Sequence, residues 1–171
     1  KKQIVPFAEV TYFNPQTSFT LKNVTSLKEL NEAILQHIPN KNLPYAIHLK
    51  GKFEYLKLRS LYPQKKPYPL LLAASKKQAI FKMHNVKGDM VGFWFPEYWA
   101  GIAVGGLHLH FVNDKRTMGG HVLDIQTKRV PAETAEMNSV QVYLPKIESF
   151  KKANLTGKEL HESIKQAEGG H

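Results

Sequence analysis

Apolar and polar residues alternate along much of this chain, at the two-residue period of strands that bury one face. The pattern marks segments 6–13 (PFAEVTYF), 45–61 (YAIHLKGKFEYLKLRSL), 89–96 (DMVGFWFP), 101–112 (GIAVGGLHLHFV), 121–130 (HVLDIQTKRV) and 139–145 (SVQVYLP), the second broken by Gly51. Helical spacing occurs in two places. Ser26–Glu29 is a capping box, followed by Leu30, Ile34, Leu35 and Ile38 and stopped at Pro39. Thr156–Glu159 is a second box, leading through Leu160, Ile164 and Ala167 to Gly169-Gly170. The class predicted is α+β, dominated by strands. The proline-rich connector YPQKKPYP (62–69) predicts a boundary between a part spanning 1–68 and a part spanning 69–171.

Composition narrows the functional classes. With 171 residues the chain is long enough to bury a core, and no apolar run approaches bilayer length, so no membrane partner is expected. No secretory signal pattern opens it. Cysteine is absent, which excludes disulfides, leaves only His and carboxylates to hold a metal, and fits a cytoplasmic protein. The formal charge is +10, yet the lysines fall in isolated pairs such as Lys65-Lys66 and Lys76-Lys77 with no nucleic-acid recognition motif beside them. They read as a solvated surface whose field steers small anions, and no nucleic-acid partner is expected.

The chemistry concentrates in GLHLHFVNDKRTMGGH, residues 106–121. In a strand, His108 and His110 share one face while Leu107, Leu109 and Phe111 take the other. Asn113–Thr117 is polar and turn-like, and Gly119-Gly120 allows a bulge or a positive φ. A hairpin folded there brings His121 beside the other two. Three neutral imidazoles leave an open position on a tetrahedral ion, the arrangement of a catalytic zinc site, although imidazole also suits copper, iron and nickel. His37, His48, His84, His161 and His171 lack this spacing and read as incidental. A cupin-like metal-dependent oxygenase or isomerase also uses a His-x-His strand, but wants a Glu three or four residues on, where this chain has Asn113 and Asp114. A basic, metal-free binding module is the third reading.

The words around the histidines decide more than the spacing. VGFWFPEYWAGIAVGGLHLHFVNDKRTMGGHVLD (91–124) resembles the α-acetolactate decarboxylase family, through the aromatic GFWFPEY, the GLHLHF strand, the DKRT-x-GGH return and HVLD. PYAIHLKGKFEYLKLRS with KPYP matches a second segment of that family, and PFAEVTYF a further strand, so the resemblance runs nearly end to end. It implies a zinc enzyme that converts 2-acetolactate to acetoin and carbon dioxide, a mixed-sheet N-terminal part packed with a C-terminal β-barrel, and a homodimer. It implies His108, His110 and His121 as zinc ligands, Arg59 in KLRS as the substrate-binding arginine, and Glu168 in QAEGG as a carboxylate reaching the site from the last helix. By themselves Arg59 and Glu168 read as a surface strand residue and a solvated helix-end glutamate. It also implies a preceding segment that carries a further active-site glutamate, so the chain reads as the later part of a longer protein.

The implied reaction suits these residue types. Loss of carbon dioxide pushes an electron pair toward the ketone oxygen, and a Lewis-acidic ion meets the growing charge of the enediolate. An arginine fork holds the carboxylate by charge-assisted hydrogen bonds. A carboxylic acid nearby is a natural proton donor, the role expected of Glu168.

Overall fold

The structure, a computed structural model, describes residues 7–66, 68–69, 71–153 and 155. Five strands dominate it: β1 (Thr17–Val24), β2 (Tyr45–Ser60), β3 (Ala79–Phe95), β4 (Gly106–Asn113) and β5 (Gly119–Glu136). Three short helices, α1 (Leu27–Leu35), α2 (Leu71–Ser75) and α3 (Glu148–Lys151), complete the described elements with a single 3-10 turn at Glu97–Trp99. The strand-rich α+β class is as the alternation predicts.

The strands form one sheet in the order β1-β5-β2-β3-β4, and β5 turns back to pair with β4 as well. β2, β3, β4 and β5 thus make a closed circuit of hydrogen-bonded ladders. All the ladders among the described residues are antiparallel, so the mixed sheet that the resemblance implies has no parallel ladder among them. β2, which precedes the proline-rich connector, is paired along almost its whole length with β3, which follows it. One apolar core lies against this sheet: Leu49, Phe53, Leu56 and Leu58 from β2, Met90 from β3, Leu109 and Phe111 from β4, and Val122, Ile125 and Val130 from β5 are buried together. Phe53 and Phe111 meet edge to face at 5.5 Å.

Helix α1 forms where its capping box predicts. Ser26 Oγ accepts from the Glu29 amide, and the Glu29 carboxylate reaches back to the amide and hydroxyl of Thr25. Its buried Leu30 and Ile34 join the core, and the Leu27 amide donates to Asp124 on β5, which ties the helix start to the sheet.

Four differences from the alternation have physical causes. β1 carries two Thr, a Ser, a Lys and an Asn, too polar for a core strand, but it needs only one buried edge because it lies outermost, with Leu21 and Val24 inward. β3 begins earlier than 89, at Ala79, because β2 offers a partner along that length. β5 runs past Pro131, which falls in a gap in the β2–β5 ladder between Leu49–Ala132 and Tyr55–Gln126, where no amide of residue 131 is needed. Segments 7–13 and 139–145 have strand-like sequences but no partner strand among the described residues, and form no ladder. The second capping box lies outside the described residues.

Candidate metal centre

The core side of β4 is set by Leu109 and Phe111, so His108 and His110 project from the opposite face, as the alternation predicts. The chain then turns through 114–117 and returns as β5. The turn closes by backbone bonds from the Asn113 amide to the Met118 carbonyl, 2.9 Å, and from the Arg116 amide to the Asn113 carbonyl, 2.8 Å. Arg116 takes the left-handed conformation there, at φ 57°. Neither Gly119 nor Gly120 has a positive φ; the glycines serve close approach instead. A Cβ on Gly120 would lie 2.6 Å from the backbone oxygen of Arg59 and one on Gly119 would lie 2.5 Å from that of Phe111. Gly-Gly therefore lets β5 lie tight against β2 and β4 just before His121.

The register that results places His121 opposite both His110 on β4 and Arg59 on β2. A register shift between Lys57 and Leu58 sets this alignment with β2. The three imidazole rings converge: centroids are 5.2 Å apart for His108 and His110, 4.8 Å for His108 and His121, and 5.3 Å for His110 and His121. One nitrogen from each ring lies within 4.8 Å of the others, and the Nε2 atoms of His108 and His110 are 3.2 Å apart. A tetrahedral zinc ion with Zn–N near 2.0–2.1 Å separates its ligand nitrogens by about 3.3 Å. The donor set and its spacing fit such an ion.

Electrostatics favour neutral imidazoles. Burial lowers the pKa of His108, and the Arg59 charge lowers it further. For His121 burial, Arg59 and the two neighbouring imidazoles together push the pKa down to about 2. Neutral imidazole is the form that binds metal. Arg59 is only 8% exposed, unlike the surface strand residue that it resembles in isolation, and it donates to Gln78 Oε1 at 3.3 Å. Gln78 is a site neighbour that sequence reasoning misses; it lies in the turn after α2, its amide donating to the Ser75 carbonyl, and nothing in the local pattern marks it. Among the described residues no carboxylate joins the cluster, and position 113, where a cupin would place one, is an asparagine engaged in the turn. Glu168 lies outside the described residues.

Comparison with known proteins follows the same stretch of chain. The sequence profile of the alpha-acetolactate decarboxylase family matches residues 1–157. The chain belongs to that family. It is 39% identical over 151 residues to the alpha-acetolactate decarboxylase of Brevibacillus brevis, covering 88% of this chain and 53% of that protein. To the enzyme of that name from Methanosarcina mazei it is 39% identical over 163 residues, covering 95% of this chain and 56% of the other. The crystal structure of alpha-acetolactate decarboxylase from Bacillus subtilis strain 168 superposes with a TM-score of 0.88 at 34% identity, covering 92% of this chain and 68% of that one. The chain thus spans a little over half the length of these first two relatives.

Proposed function

We propose that this chain carries the metal-binding part of a zinc-dependent decarboxylase that converts 2-acetolactate to acetoin and carbon dioxide. The observation that carries the reading is the convergence of His108, His110 and His121 beside a buried arginine. Relatives named for that activity support the choice of substrate. We read the closed circuit β2-β3-β4-β5 as the barrel of the family, with β2 entering it from before the connector at 62–69.

His108, His110 and His121 would hold the zinc ion, and when bound it supplies Lewis acidity toward the substrate's ketone and hydroxyl oxygens. Arg59 binds the substrate carboxylate through its planar fork, each charge-assisted bond contributing about 1.5–3 kcal/mol. That carboxylate loses its charge as carbon dioxide departs, so a tight pair with Arg59 favours the bound ground state. The arginine's contribution to rate is orientation: it holds the breaking C–C bond perpendicular to the ketone plane. The electron pair of that bond moves toward the ketone oxygen, and a proton delivered to carbon completes acetoin. Glu168 is the proposed donor. The excess of cationic residues draws the anionic substrate toward the site.

We further read the protein as a cytoplasmic homodimer. Exposed apolar side chains outside the strand ladders, Val10 and Tyr12 at one place and Val142 and Leu144 at another, support self-association. No helix among the described residues is long and apolar enough to cross a membrane.

The test is zinc content measured together with acetoin formation from 2-acetolactate, for this chain and for a full-length relative under the same conditions. Stoichiometric zinc with acetoin production in both supports the reading. A chain that binds no zinc overturns it.

A further inference from the structure

The β4–β5 ladder that joins two of the imidazoles is short. It pairs His110 with His121, Phe111 with Gly120 and Val112 with Gly119, and beyond His121 β5 leaves β4 for β2. Two of these pairs have glycine on one side, so no cross-strand side-chain contact fixes them. Glycine-rich ladders hold their register weakly, and a slip of one residue turns every side chain to the other face. Such a slip here would aim His121 into the core.

Asn113 supplies what the glycines lack. It ends β4 and is buried, at 9% exposure. Its side-chain Oδ1 accepts from the amides of both Thr117, 2.9 Å, and Met118, 3.0 Å, and its Nδ2 donates to Thr117 Oγ1 at 3.2 Å. With the two backbone bonds across the turn, the carboxamide fastens the residue immediately before Gly119 to the end of β4. From the other side, the Asp114 amide donates to the Lys87 carbonyl, which locks the start of the turn to β3.

We propose that Asn113 is a positioning residue for the metal centre, fixing the register across which His110 meets His121. This rests on the reading of the three histidines as metal ligands. Asn113 itself does not enter the ligand set; it acts through the hairpin.

The test uses cobalt(II), whose visible absorption reports ligand number and geometry, titrated into the metal-stripped chain against a competing chelator. Asn113→Ala should weaken cobalt binding on the order of tenfold or more and change the absorption band, the range seen when groups supporting a ligand are removed. Asn113→Asp keeps an oxygen for the Thr117 and Met118 amides and should retain both affinity and spectrum. Tyr45→Phe, which removes the hydrogen bond to Glu136 at the far end of β5, lowers stability without touching the hairpin and should leave the spectrum unchanged. The proposal falls if Asn113→Ala binds cobalt like the unsubstituted chain, if Asn113→Asp is as weak as the alanine variant, or if Tyr45→Phe is equally weakened. His110→Ala in the same series separates the two levels: full cobalt affinity there overturns the metal-centre reading itself, whereas loss there with Asn113→Ala unchanged overturns only the role of Asn113.

Discussion

His110 and His121 face each other directly across the β4–β5 ladder, with ring planes at 81° and centroids 5.3 Å apart. Each is carried by a different strand, so the pair exists only when the hairpin is closed in this register.

Removing either ring should therefore remove the site. His110→Ala and His121→Ala are expected to lose bound zinc on dialysis, with affinity falling by more than about a hundredfold, beyond the loss typical of a supporting group. Elemental analysis of the dialysed proteins checks this. Far-ultraviolet circular dichroism should stay close to that of the unsubstituted chain.

Arg59→Lys should spare zinc and impair substrate capture. Lysine keeps the charge but not the bidentate fork. The loss of one charge-assisted bond predicts a tenfold or larger fall in kcat/KM for 2-acetolactate, from about 1.5–3 kcal/mol. Steady-state kinetics with zinc analysis on the same samples separates this from metal loss; unchanged kinetics would remove Arg59 from the site.

Gly120→Ala places a methyl group against the Arg59 carbonyl and 3.3 Å from the Phe81 ring. The strands must part to admit it, at a cost of about 1–3 kcal/mol. Urea unfolding should show that loss, and because Gly120 adjoins His121 the variant should also bind zinc more weakly.

Acid sensitivity should trace in part to Asp89. His48 Nε2 lies 2.9 Å from its Oδ1, Lys50 and Arg116 also pair with it, and Glu133 flanks His48 on the other side. The His48 hydrogen bond, opposed by burial and aided by Lys50, holds the Asp89 pKa below its usual 3.8. Since the folded value is the lower one, the stabilisation is present above the unfolded pKa and disappears as pH falls through the folded one. Asp89→Asn should therefore be less stable than the unsubstituted chain near neutrality, while the two converge in strong acid. Chemical unfolding across pH checks the convergence; parallel curves throughout would refute it.

Much of the centre was legible because strand geometry is simple. A period of two placed His108 and His110 together, and the polar turn with its glycines placed His121 beside them. The role of Gly119-Gly120 is not legible there, because close approach of a neighbouring strand cannot be seen in a local pattern. The same blindness hid the burial of Arg59 and its partner Gln78, which depend on which strand lies alongside. β1 and the first half of β3 were missed since a strand needs a partner more than it needs alternation, and 7–13 shows the converse.

The ladder between β4 and β5 is the shortest of those joining the described strands, and the proposed ligands sit on both sides of it. An ion gripped there would double as a clasp on the seam that closes the circuit. Amides of residues 110–121 should exchange with solvent sooner than those of the long β2–β3 ladder when zinc is stripped, and return to protection when it is restored.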